Sequence, residues 1–448
     1  MTRADGGECR ADRAHGDAGA RPLPLVAWDR WRDSLTRAGW SPRPACHGGD
    51  AERVAVDQAL GRVTVAPVAA RWPSPRTDCA AMDGIAVRAA DLAAADVAAD
   101  GPAIRLPSGT IEWIDTGDPM PPGTDTVVVR ERLLPQADGS VIVVPVTTVA
   151  GRRPGPAARR NVRRTGEDFA AGALLVPPGR RLRPGDLAAA AAGGQVTVTV
   201  ARRPVVAIIP TGDEIRPLGT VPRFGDIIDT NSLMLAARCR QLGAVPVVSA
   251  IVPDDPDALA AELRHAAGRA DLVLVIAGSS KGRGDHAHAV LEQVGGVAVA
   301  GVAVRPGHPA LLGHAKRPEA GHGQPADHRR AGIAPVIGLP GYPLATAVIF
   351  ELFAAPVLGL LTGQATGRER ASARLDRDWV CTADVEEWLL VSLTPDPAGG
   401  VPVATPARRG AGSISQLAQA DAWWPVPAGR GTVTAGTQIE VIALPDGG

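Results

Sequence analysis

Residues able to bind anions and hard cations recur in this chain where short apolar runs end. Thr211, Gly212, Asp213 and Glu214 follow the run 204–209, and Asp254 and Asp255 follow 245–252. Gly278, Ser279, Ser280, Lys281, Gly282, Arg283, Gly284 and Asp285 follow 271–276. Arg305-Pro306-Gly307-His308-Pro309 and Pro340-Gly341-Tyr342-Pro343 close two further runs. In the 278–285 loop, glycines let backbone N–H groups turn toward a ligand, serines add donors and Lys281 adds a point charge. A helix N-terminus after the loop favours an anion. The GK[ST] ending of a Walker A loop is missing, so the loop reads as a phosphate or oxyanion cradle. Asp285 beside it would repel phosphate unless it held a cation. With Glu214 and Asp254 it forms a candidate magnesium site of hard oxygen ligands. Each acid taken alone could equally cap a helix; their joint position at strand ends favours a functional role. His286 and His288, at i and i+2, point apart on a helix. His314, His322 and His328 fall in a polar loop over 314–334 with no fixed ligand spacing, which reads as a solvated insertion.

The elements that must position these groups alternate. Strands are expected at 204–209, 245–252, 271–276, 297–304 and 335–339, with helices at 232–242, 257–267, 287–294 and 344–353. Such alternation predicts a mostly parallel, doubly wound sheet wrapped by helices, with ligands beyond the C-terminal strand ends. Residues 66–170 carry short Val-rich stretches broken by Pro and Gly, which predicts a β-rich region. A helix is expected over 26–38, where Trp28, Trp31 and Leu35 share a face. The tail from 370 to 448 reads as a small β domain.

Composition narrows the classes. The chain has 448 residues, 47 basic and 47 acidic, so any anion site must be built locally and nothing global points to nucleic acid or an anionic membrane. The only lysines are Lys281 and Lys316. Five scattered cysteines without CxxC signal neither a thiolate zinc site nor a disulfide framework. No uninterrupted apolar run reaches membrane-spanning length, and residues 1–21 are polar, without a signal-peptide core. The expectation is a soluble, cytoplasmic protein with a disordered N-terminal extension over 1–21. No G-x-G-x-x-G follows the first strand, which argues against a dinucleotide-dependent dehydrogenase.

The ordered set of motifs resembles the molybdopterin molybdenumtransferase family, which includes the MoeA proteins and the E domain of gephyrin. It begins with Met82-Asp83-Gly84 and continues through Thr116-Gly117-Asp118-Pro119, Asn161-Val162-Arg163 and Gly166-Glu167-Asp168. It then takes in Thr211 to Glu214, Asp229-Thr230-Asn231, Asp254-Asp255, the glycine loop, Arg305-Pro306-Gly307 and Leu339-Pro340-Gly341. This chain is similar to a divergent Gly-Ser-Ser-loop branch: Ala277 to Gly282 replaces Gly-Gly-Val-Ser-Val-Gly. Arg305 and His308 stand where lysines are usual, Tyr342 and Ala345 where Asn and Ser are, and Ile85 where an aromatic is.

The resemblance implies an elongated four-domain protomer. Domain I would comprise 22–65 and 171–202, domain II 66–170, domain III 203–362 and domain IV 370–448. It implies a homodimer whose active site joins domain III to domain II of the partner. Asp83, Thr116 and Asp168 would reach across from one subunit to Glu214, Asp254 and Asp285 of the other. Thr211, Gly212, Asp213, the 278–282 loop (Gly278, Ser279, Ser280, Lys281, Gly282), Arg305, Pro340 and Gly341 would hold pterin phosphate and oxyanion. The implied reaction uses magnesium, molybdopterin-AMP and molybdate, inserts molybdenum into the dithiolene and releases AMP. A molybdopterin adenylyltransferase is the implied partner. A non-catalytic molybdopterin carrier, sensor or scaffold is the alternative, and molybdate against tungstate stays open.

Overall fold

The computed structural model describes residues 21–41, 51–95, 104–144, 159–277, 286–318, 332–363, 369–397 and 399–444. The cradle residues Gly278, Ser279, Ser280, Lys281, Gly282 and Asp285, with His322, His328 and the N-terminal extension up to residue 20, lie outside the described residues. The chain divides into two compact units: residues 51–201, and residues 1–50 together with 202–448.

The larger unit contains a six-stranded sheet in the spatial order Val245–Val248, Val205–Pro210, Leu272–Ala277, Ile333–Pro340, Leu311–Lys316, Gly295–Ala300. The first four strands are parallel and the last two pair antiparallel. Ile208, Ile209, Leu272, Leu274 and Ile337 are buried, as expected of strands covered on both faces by helices. Helices Asn231–Gln241, Pro256–Arg269 and Ala287–Val294 lie in the connections between strands, and Pro343–Ile349 follows the last strand. The strand order reverses between Val205–Pro210 and Leu272–Ala277. The C-terminal ends of these two parallel strands therefore lie side by side at the sheet's switch point.

Two expectations need correction. His314 does not sit in a polar loop; it lies in strand Leu311–Lys316, between Gly295–Ala300 and Ile333–Pro340. The helix Pro24–Arg37, expected in domain I, packs into the α/β core through Ala27, Trp31 and Leu35. Trp31 donates its indole N–H to the Gly313 carbonyl at 2.8 Å and meets Phe353 edge-to-face at 6.4 Å. Burying two large aromatics outweighs any local tie to residues that follow in sequence.

Residues Pro343–Thr362 make the one described helical stretch long and apolar enough to cross a membrane, yet 72% of it is buried inside the protein, as for a core helix. Its middle turn, Phe350–Ala354, is a π-turn. Pro356, which has no N–H to give, lies just beyond it.

The tail forms a closed ring of five strands: Glu386–Thr394, Val403–Pro406, Arg370–Leu375, Gln438–Ala443 and Ala422–Val426, which pairs back onto Glu386–Thr394. Val304–Arg305 adds in parallel to Glu386–Thr394, with Arg305 opposite Glu387. A segment of the α/β region is thereby stitched to the barrel.

The smaller unit is β-rich, as expected for most of its length. Gly84–Val87 pairs antiparallel with both Glu112–Ile114 and Thr126–Val129. Ala51–Ala55 pairs with Thr197–Ala201.

Candidate functional site

At the switch point, the turn after Val205–Pro210 is fixed by its neighbours. Thr211 donates N–H and Oγ1 to the Ile276 carbonyl at 3.0 and 2.9 Å, and Gly212 N–H reaches the Val252 carbonyl at 3.1 Å. Asp213 accepts the Asp254 N–H at 3.2 Å. These bonds hold the 211–214 turn against the 252–254 turn. Gly212 has φ +133°, and a Cβ there would stand 2.8 Å from Glu214 Oε2 and 2.9 Å from Ile215 Cγ1. Glycine is required for both reasons: the backbone conformation is left-handed, and the Glu214 carboxylate lies against it.

The acids sort into two kinds. Asp229 caps Asn231–Gln241 by accepting the Ser232 N–H at 2.9 Å, and Asp255 caps Pro256–Arg269 through the Ala258 N–H at 2.7 Å. Glu214 and Asp254 are exposed, and their carboxylates have no hydrogen-bond or ion-pair partner among the described residues. Unpaired carboxylates on adjacent turns suit a hard cation. Among the described residues no three metal-ligating groups converge; Asp285, the third expected ligand, lies outside them.

A second feature is a cleft of about 610 Å³ between the α/β sheet and the barrel, lined in part by Arg305, His308, Pro340, Tyr342, Arg408 and Arg409. The 340–343 turn is anchored from behind. Buried Asn231 donates to the Gly341 carbonyl at 2.7 Å, and Thr346 Oγ1 bonds the carbonyls of Pro340 and Tyr342. Opposite lies Glu387, whose side chain is 1% exposed and which pairs with Arg409. Burial alone would push its carboxyl up. Hydrogen bonds from Arg409 and Thr382 outweigh burial and hold it below its ordinary range.

In the smaller unit, Asp83 Oδ1 accepts both the Oγ1–H and the N–H of Thr116, at 2.7 and 2.8 Å. These two bonds hold the exposed Asp83 carboxyl below its usual value. The next residue, Gly84, allows close strand pairing with Thr126–Val129, since a Cβ there would overlap the Val128 carbonyl at 1.9 Å. Asp168 lies in the turn after Val162–Arg163, its N–H bonded to the Ser74 carbonyl at 3.0 Å.

Three family models match the chain in succession: the MoeA N-terminal region (domains I and II) over 32–194, a probable molybdopterin binding domain over 207–359, and the MoeA C-terminal region (domain IV) over 372–444. The molybdopterin molybdenumtransferase of a Nostoc species is 31% identical over 420 residues, covering 88% of this chain and 89% of the relative. Molybdopterin molybdenumtransferase 2 of Mycobacterium tuberculosis is 32% identical over 417 residues, covering 87% and 94%. The chain belongs to the MoeA family of molybdopterin molybdenumtransferases. The crystal structure of a molybdopterin biosynthesis MoeA protein from Pyrococcus horikosii superimposes with a TM-score of 0.72 at 26% identity, covering 95% of this chain and 99% of that one.

Within this MoeA-family chain the structure brings Thr211, Gly212, Asp213, Glu214 and Asp254 together at the switch point, and Arg305 and Pro340 together in the cleft. Gly341 belongs to the anchored turn beside that cleft. Asp83 and Thr116 form one bonded pair in the smaller unit. Sequence reasoning missed Arg408, Arg409 and Glu387. The Arg-Arg-Gly run resembles a solvated charge cluster, and only the strand register Arg305↔Glu387 reveals what it adjoins.

Proposed function

We propose that this protein inserts molybdenum from molybdate into adenylylated molybdopterin and releases AMP, a step in molybdenum cofactor synthesis. The observation that carries this reading is the cleft beside the anchored 340–343 turn. It contains Arg305, a guanidinium with no side-chain partner among the described residues, in a chain of zero net charge. A tetrahedral oxyanion is held best by such charge-uncompensated, forked donors.

Glu214, Asp254 and Asp285 are proposed to hold magnesium, which when bound would neutralise the pyrophosphate linkage and stabilise the departing phosphate. The free carboxylates of Glu214 and Asp254 support this. Thr211, Gly212 and Asp213 shape the turn, and the 278–282 cradle supplies donors to the pterin phosphate. Asp83, Thr116 and Asp168 are proposed to come from a second copy of the chain, in a homodimer. The loop carrying Leu218 (73% exposed), Val221 (87%) and Phe224 (fully exposed) supports a self-associating surface, because isolated chains rarely leave such side chains bare together. An adenylyltransferase would supply the substrate, and the setting would be the cytoplasm.

The test is AMP release from molybdopterin-AMP with magnesium, with and without molybdate. Molybdate-stimulated release is expected. Tight pterin binding with no release would refute the reading and favour a carrier.

A further inference from the structure

Two consecutive arginines, Arg408 and Arg409, follow strand Val403–Pro406 and line the same cleft as Arg305. Their surroundings differ. Arg409 donates Nε and Nη2 to the two Glu387 oxygens, each at 2.9 Å, and Nη2 also to the Val380 carbonyl at 2.6 Å. Its guanidinium lies over the Trp379 ring, 4.4 Å from the centroid. Glu387 also accepts from Thr382 Oγ1 at 2.9 Å and Thr382 N–H at 3.2 Å. Arg409 therefore has its charge cancelled by a buried carboxylate and one face covered by an indole. Arg408 is exposed and has no side-chain hydrogen-bond or ion-pair partner among the described residues. Arg305 shares that property and stands opposite Glu387 in the strand register. By occupying Glu387, Arg409 keeps that carboxylate from drawing Arg305 away.

We propose that Arg408 is the second oxyanion-binding residue of the cleft, acting with Arg305, and that Arg409, neutralised by Glu387, does not touch the anion. Two uncompensated guanidiniums match the double charge of a tetrahedral oxyanion such as molybdate. Each offers a planar fork that a lysine cannot reproduce. This assignment rests on the reading of the cleft as the oxyanion site.

The experiment is calorimetric titration of the full chain with sodium molybdate, comparing wild type, Arg408→Ala, Arg408→Lys and the charge-neutral double variant Glu387→Gln/Arg409→Gln. Losing one charge-assisted contact predicts a roughly 10- to 100-fold weaker Kd for Arg408→Ala. Arg408→Lys should recover part of that loss, because it restores charge without the fork. The double variant should bind within about threefold of wild type, since the cleft's net charge and its two free arginines are unchanged. The molybdate KM for AMP release should rise with Arg408→Ala by the same factor as Kd. Wild-type binding that survives Arg408→Ala overturns the assignment alone, as does a loss confined to the double variant. No molybdate binding by wild type overturns the assignment together with the reading it rests on.

Discussion

Replacing Arg409 with alanine should destabilise the C-terminal barrel in a pH-dependent way. The substitution removes two charge-assisted hydrogen bonds to Glu387, one to the Val380 carbonyl, and the guanidinium over Trp379. Glu387, 1% exposed, would remain with only Thr382 as donor. Breaking a fully buried ion pair costs about 3–5 kcal/mol. Arg409 is 43% exposed, so solvent already screens part of the interaction, and the expected loss is about 2–3 kcal/mol. In the wild type the Glu387 carboxyl is lowered from 4.5, so its contribution is fully present above that value and is lost as pH falls through the folded-state value. Without Arg409, burial dominates and raises the carboxyl, which turns the same group into a penalty at neutral pH that fades on protonation. The deficit of Arg409→Ala relative to wild type should therefore be largest near pH 7 and shrink by about pH 4. Denaturant unfolding followed by tryptophan fluorescence reads this region, because Trp379, Trp388, Trp423 and Trp424 all lie in it. Adding Glu387→Gln to the Arg409→Ala variant should recover much of the loss. A neutral-pH deficit under about 0.5 kcal/mol, or one that grows on acidification, would refute the reasoning.

Two further outcomes follow from the geometry. Gly212→Ala should cost about 1–2 kcal/mol from its left-handed backbone and should push the Glu214 carboxylate aside, raising the magnesium concentration needed for AMP release several-fold; an unchanged magnesium requirement would remove Glu214 from the cation site. Asp83→Ala and Asp285→Ala should each abolish release alone, yet co-purified heterodimers of the two should regain activity; verified heterodimers without recovery would contradict a site shared between copies.

Much of the α/β region was legible from sequence because local pattern and final environment agree. Val205–Pro210 and Leu272–Ala277 are apolar runs followed in sequence by polar and glycine-rich residues, and both are buried central strands. Strand Leu311–Lys316 was not legible. Its Gly313-His314-Ala315-Lys316 segment is too polar to signal a strand, and its state comes from pairing on both sides with distant residues. The helix Pro24–Arg37 was visible from its tryptophans, but which core it joins depends on Trp31 meeting Phe353, 322 positions away. The candidate site divides in the same way. Glycine and acidic turns at strand ends carry a local signal. The contrast between Arg408 and Arg409 is set by a buried glutamate on another strand, which no spacing rule encodes.

In the proposed reaction, molybdenum insertion and AMP release are one coupled event. The most direct measurement is the ratio of molybdenum bound in the pterin product to AMP released, by elemental analysis and chromatography of the same reaction. Equal amounts of the two are expected, with neither forming when molybdate is omitted. AMP released at the same rate without molybdate, leaving a metal-free pterin, would contradict it.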